Sequence, residues 1–316
     1  MNKEHFLELG FLAGGTVAGI AGINALENKY SLRKNRLEST EGEYFCWKNF
    51  KIYYTKSGFG KPVILLHDLK PDASSYEWSR LVDKLSENHR VYVLDLLGCG
   101  RSDKPEITYT NFYYVEILLS YIKSRICEKT FVVGSGYSSV IALMAGAYDP
   151  SKISGIAFIN PPSIGSMAQV PNWHTVIAMR MMQIPVFGDL LYNIHYGRWA
   201  IDDRFSEDLL YNPFHVSPEL IDTCVEAAHI GKGKGRFLGA SLAGRYLNMN
   251  ITHALKNLKV PAWILVGENM RGETAIARSW KAASPRLHIR TISQSRNYPH
   301  YEKPKETASV LNGILS

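Results

Sequence analysis

The chain has 316 residues, 46% of them hydrophobic and 21% charged, and it carries four cysteines. Those proportions exclude a disordered segment, a collagen-like repeat and a disulfide scaffold; they describe a chain that buries a large core. The formal charge of +7 raises the question of an acidic partner, either nucleic acid or an anionic membrane surface.

Length alone allows two domains of roughly 150 residues or one α/β domain with an insertion. Cys46, Cys99, Cys127 and Cys224 show no C-x-x-C spacing, which argues against a zinc site or a redox dithiol and fits a reducing compartment. No cofactor and no metal are expected.

From Leu9 to Leu26 the sequence runs eighteen residues without a charge, approaching the thickness of a bilayer's hydrocarbon core as a helix. Residues 1–36 are therefore expected to form an N-terminal membrane anchor with a basic flank, a single transmembrane helix. Lys29, Arg33, Lys34 and Arg36 outnumber the positive charges upstream, which places the body of the protein on the cytoplasmic side. Gly10/Gly14 and Gly15/Gly19 give the spacing that lets membrane helices pack closely, a route to a homodimer through this helix. Two alternatives stay open. A cleaved signal peptide would need a site after Ala25, with an ill-suited Ile23 three residues from the cut; a soluble amphipathic or buried helix would suit the five glycines and Asn24.

Residues 37–43 read as a polar linker. Beyond them Phe50 to Gly58 and Pro62 to Leu69 are two β-rich runs split by a Gly/Lys/Pro turn. Arg90 to Gly98, Lys129 to Gly136, Ile153 to Asn160, Val260 to Glu268 and Leu287 to Ser293 are short, nearly continuous apolar runs, as expected of strands buried on both faces of a parallel sheet. Helical patterns such as Tyr76 to Leu85 and Ser138 to Tyr148 fill the gaps, so the fold class is α/β with a doubly wound, mostly parallel sheet. About 100 residues separate the run ending at Asn160 from the one starting at Val260. Residues 164–255, rich in Met and aromatic side chains, are the expected helical cap inserted between core segments 44–163 and 256–316.

The body from about Gly42 onward resembles the α/β-hydrolase fold superfamily. The most specific match is LDLLGCGRSDKP at Leu94 to Pro105; LLHDL at Leu65, VVGSGYSSVIALMAGAYDP at Val132, VPAWILVGE at Val260 and NYPHYEKP at Asn297 follow in the order the family uses. The resemblance implies a nucleophile on a sharp strand-to-helix turn, a histidine that takes its proton and a carboxylate that orients the histidine. In the elbow pattern G-x-S-x-G, Gly134 and Ser138 occupy the flanks and Gly136 stands at the nucleophile. Counting from Gly267 puts Met270 at the acid, and the strand before offers Asn160. Asn297 stands where the histidine belongs, with His300 three residues on.

At the oxyanion hole, where relatives carry His-Gly, this chain has His67-Asp68 followed by Leu69, and Tyr137 follows the elbow. A carboxylate there opposes a developing negative charge, where one lost donor alone costs about 3 kcal/mol. Ser135, Ser138 and His300 are fallback catalytic candidates, although Val133 and Tyr137 around Ser135, and Val140 after Ser138, crowd the turn a nucleophile needs.

Three readings follow. The first is a membrane-tethered, noncatalytic pseudo-hydrolase that binds an apolar small molecule or lipid between core and cap. The second is an active esterase- or lipase-like hydrolase with non-standard residues, and the third a protein-interaction module. No helix-turn-helix, zinc-finger or RNP-like motif is present, so nucleic acid is not an expected partner. Between Ala227 and Tyr301 twelve Lys and Arg stand against Glu268 and Glu273, a regional basicity suited to anionic headgroups.

Overall fold

A computed structural model describes residues 3–38, 41–269 and 272–315. Its eight strands are β1 (Glu43–Trp47), β2 (Phe50–Ser57), β3 (Pro62–Leu66), β4 (Arg90–Leu94), β5 (Thr130–Ser135), β6 (Ile153–Ile159), β7 (Ala262–Gly267) and β8 (His288–Ile292). They form one sheet in the order β1-β2-β4-β3-β5-β6-β7-β8. β1 and β2, and β2 and β4, pair antiparallel; every later pairing is parallel.

Side chains alternate across a strand, so each apolar run serves two cores. Val63 and Leu65 face one cluster with Trp78, Leu81 and Leu311. Ile64 and Leu66 face the other with Tyr114, Tyr121 and Phe158. Helices cover both faces: α2 (Val82–Ser86), α3 (Asn111–Tyr121) and α4 (Ser138–Tyr148) come from the first half of the chain. Between β6 and β7 lie α5 (Ile164–Met167), α6 (Trp173–Gln183), α7 (Phe187–Tyr196), α8 (Arg198–Arg204), α9 (Pro218–His229), α10 (Arg236–Ala243) and α11 (Thr252–Lys256). The chain closes with α12 (Glu273–Ala283), α13 (Pro299–Glu302) and α14 (Pro304–Leu315). The caps follow local chemistry: the Asn172 side chain and Thr175 form a capping box at α6, and Ser217 accepts from Leu220 N ahead of Pro218 at α9.

One helix, α1 (Lys3–Ser31), precedes the sheet. Among the described residues no helix is long and apolar enough to cross a membrane, which corrects the expected single-pass span. The five glycines and Asn24 dilute the apolar run, and Asn24 has a different use. It is buried, its Nδ2 donates to Val186 O at 2.9 Å, and its Oδ1 accepts from Asn193 Nδ2 at 2.9 Å, so the helix is tied to the start and middle of α7. Beyond the helix, Glu226 on α9 accepts from the backbone N–H groups of Arg36 and Leu37, and Asp222 pairs with Lys34 and Arg198. From Gly14 to Ile23 the helix is exposed apart from half-buried Ile20.

Candidate functional site

β5 ends at Ser135 in the middle of the sheet, and the chain turns sharply through Gly136 into α4. Gly136 sits at φ +53°, a left-handed conformation that a residue with a Cβ adopts at a cost. The turn closes because Gly134 has no side chain: a Cβ there would lie 2.5 Å from Ser138 O. The elbow expected from the sequence is thus built, with glycine at its tip.

The space above that tip belongs to Asp68. A Cβ on Gly136 would lie 2.2 Å from Asp68 Oδ1 and 2.4 Å from its Cγ. The same Oδ1 accepts from Tyr137 N at 2.9 Å, one of the backbone donors that the family's pattern aims at a substrate oxyanion. Lys70 Nζ sits 2.6 Å from Asp68 Oδ2. Burial works against the Lys70 ammonium, but Asp68 and Asp72 outweigh it and hold its pKa above the ordinary lysine value. The protein's own carboxylate therefore lies where a reaction's negative charge would develop, with its own countercharge.

His67 is locked in one neutral tautomer. Leu96 N–H donates to Nε2 at 2.9 Å, so Nδ1 carries the proton and donates to Asp68 O at 2.7 Å. Fully buried and doubly engaged, the ring positions the loop. Leu69, also buried, follows in the core.

Ser138 and Ser135 are not exposed nucleophiles. Ser138 is fully buried and donates to His67 O at 2.5 Å, and Ser135 is 3% exposed. His300 is fully buried, stacked on Trp78 with ring centroids 4.3 Å apart, and its Nε2 lies 3.1 Å from Glu77 Oε1. Glu77 Oε2 accepts from Asp68 N at 2.9 Å. Burial pushes the Glu77 carboxyl up, but its neighbours His300 and Ser135 outweigh it and its pKa falls below the usual carboxylate value. The fallback histidine thus faces a buried glutamate, and among the described residues neither serine is hydrogen-bonded to His300.

Asn297 and Asn160 act as braces. Asn297 donates from its backbone N to Leu209 O at 3.1 Å and from Nδ2 to Asp208 O at 3.3 Å, tying the loop to the segment after α8. Asn160, itself left-handed at φ +44°, donates from Nδ2 to Arg296 O at 3.0 Å and Asn297 O at 2.8 Å, and accepts from Gly267 N at 3.3 Å. Glu302 accepts from Arg296 N at 2.8 Å and Tyr211 N at 2.6 Å. Met270 lies outside the described residues.

Between core and cap at this place the cavity measures about 20 Å3, walled by Lys70, Glu77 and Tyr298 below and Phe205, Leu209 and Cys224 above. Such a volume holds about one water. The structure places Gly136, Asp68, Tyr137 and His67, all named from the sequence, beside one another. Sequence reasoning missed Lys70 and Glu77, whose roles follow from burial and have no motif of their own.

The family described as the alpha/beta hydrolase family matches residues 63–310. A proline iminopeptidase from Heyndrickxia coagulans is 21% identical over 278 residues, 83% of this chain and 93% of that protein. Among solved structures, a serine hydrolase of carbazole degradation (CarC) superposes with a TM-score of 0.71 at 16% identity, over 87% of this chain and 98% of that one. A membrane phospholipase A, described as a bacterial virulence factor, superposes with a TM-score of 0.67 at 18% identity, over 99% of this chain and 98% of that one.

Proposed function

The chain belongs to the alpha/beta hydrolase family, and from that premise we propose that it is a noncatalytic member, a pseudo-hydrolase whose body is held at a membrane surface through α1 and the neighbouring cap. The observation that carries the loss of catalysis is the Asp68 carboxylate, seated where a Gly136 Cβ would be and bonded to Tyr137 N. A tetrahedral oxyanion would have to displace an anion already held by Lys70, and no side chain at position 136 exists to form it. Function follows the site and not the fold, and the named relatives carry different chemistries on one scaffold.

The experiment is labelling with a fluorophosphonate together with a broad ester screen. We expect neither labelling nor turnover; labelling that disappears on replacing Ser135 or Ser138 by alanine refutes the reading.

The membrane part rests on apolar exposure. Val17, Ile23 and Leu26 of α1 are 52%, 58% and 69% exposed, and Ile184 and Phe187 flank the Val186 carbonyl to which Asn24 is bonded, themselves 47% and 38% exposed. The likeness to the membrane phospholipase, extending over 99% of the chain, takes in α1. Such a surface suits seating in the headgroup region. The full chain should float with phospholipid vesicles and lose that behaviour on Ile23→Asp and Leu26→Asp; equal flotation of the variant argues against a membrane seat.

A further inference from the structure

A second concavity shares no wall residue with the small cavity between core and cap. It is a groove of about 1,090 Å3 where the N-terminal arm, the loop after β4 and the cap meet. Its basic side begins with Lys104, which is 6% exposed. Among the described residues its Nζ donates one hydrogen bond, to Gly98 O at 3.3 Å, and pairs with no carboxylate. An ammonium has three protons, and this bond uses one of them. Burial with no partnered anion brings its pKa down to about 8.

Over this lysine runs the sequence Gly-Lys-Gly-Lys-Gly, residues 231–235. Gly231, Lys232 and Gly233 are all left-handed, at φ +86°, +55° and +78°, which folds the loop back on itself. A Cβ on Gly231 would lie 3.4 Å from Lys104 Cδ, so the loop rests on the lysine's stem. Lys232 and Lys234 are exposed on the groove wall; Lys234 reaches exposed Glu106 at 3.3 Å.

The acids around the groove are engaged. Glu226 accepts from the backbone of Arg36 and Leu37, Asp103 accepts from Lys51 N at 2.7 Å, and Glu38 meets the Asn35 side chain. Arg101 is bound to Asp95 at 2.8 Å. Beyond them Tyr44, 49% exposed, stands edge-on to Tyr53 at 5.5 Å.

We propose that this groove binds a phosphate monoester, with its anionic head between Lys104 and the ammonium groups of Lys232 and Lys234 and its organic part along Tyr44. Three lysines from two elements line this groove, and they match a dianion with three acceptor oxygens better than a carboxylate with two. A bound phosphate also supplies the acceptors that Lys104 lacks, and so offsets the cost of its burial.

The test is titration calorimetry of the full chain with glycerol 3-phosphate and with inorganic phosphate at constant ionic strength. Saturable binding is expected, weakened about tenfold or more by Lys232→Ala with Lys234→Ala, two exposed side chains whose loss leaves the fold intact. Lys104→Met should abolish binding while keeping a cooperative melting transition. Absence of saturable binding, equal binding of acetate, or unchanged affinity in the Lys232/Lys234 double variant overturns the proposal, and the double variant decides even where Lys104→Met fails to fold. Competition between glycerol 3-phosphate and vesicles of phosphatidic acid assigns the head to a lipid; its absence assigns it to a soluble ester. The proposal is independent of catalysis: fluorophosphonate labelling would refute the pseudo-hydrolase reading and leave this one untouched.

Discussion

Replacing Gly136 by serine restores the residue type the elbow pattern calls for, and it should unfold the protein at a lower temperature. Two costs combine. The left-handed backbone at φ +53° penalises any residue with a Cβ by about 1 to 2 kcal/mol. The new Cβ would also stand 2.2 Å from Asp68 Oδ1, so the carboxylate has to swing away, losing the Tyr137 N–H bond of 2.9 Å and disturbing the 2.6 Å contact with Lys70. A hydrogen bond to a charged group is worth about 1.5 to 3 kcal/mol, which brings the expected loss to roughly 4 kcal/mol. For a chain of this size that corresponds to a fall of about 8 °C in Tm.

The assay is a double-mutant cycle by calorimetry and urea unfolding with Gly136→Ser, Asp68→Ala and their combination. In the Asp68→Ala background the serine should cost about 1 to 2 kcal/mol, the backbone part alone, so the two sites couple by roughly 2 kcal/mol. A neutral or stabilising Gly136→Ser, or additive single costs, refutes the account of a carboxylate-filled elbow.

Two further outcomes follow from the same structure. Because the folded protein holds Glu77 below its ordinary 4.5, the stability it contributes is complete above that pH and is lost as pH falls beneath it; Glu77→Gln should flatten the acid limb of a stability-versus-pH curve and cost about 1 to 3 kcal/mol at pH 7. An unchanged acid limb would count against the Glu77–His300 pairing. Glu226→Ala removes the acceptor of two backbone N–H groups in the arm, at 2.5 and 3.0 Å, and should speed tryptic cleavage after Arg33, Lys34 and Arg36 several-fold without lowering the main melting transition by more than about 2 kcal/mol; cleavage at the wild-type rate would mean the arm is held by other contacts.

Seven of the eight strands were legible because continuous apolar runs between turn residues have few other uses in a chain this size. β1 falls at the start of the expected core segment without being singled out as a strand, although its alternation is present: Phe45 and Trp47 are buried while Glu43, Tyr44 and Cys46 are exposed. Five residues beside a polar stretch gave the pattern too little length to stand out. The elbow was legible down to its glycine, since small flanks and a tight turn leave a local signature. The carboxylate was legible only as a misplaced charge; that Asp68 turns onto Tyr137 N and recruits Lys70 depends on where β3, β4 and β5 lie side by side, which no local pattern encodes. In the N-terminal segment Asn24 suits a buried helix as much as it dilutes an apolar one, and the fold uses it as the peg that joins α1 to α7.

The collision at the elbow also fixes an order of events. Asp68 in its present rotamer and a side chain at position 136 exclude one another, so a lineage arriving here from an ancestor with serine at the elbow and glycine at 68 had to lose the serine before the aspartate could settle into its present contacts. With the aspartate in place, introducing a serine first passes through the least stable pairing of the two sites. Asn160 tightens this ratchet: its side chain holds the backbone of residues 296 and 297, so a histidine restored at 297 would enter a loop anchored for another purpose. The fold is stabilised with glycine at 136 and aspartate at 68, and a single change at either position disturbs the other.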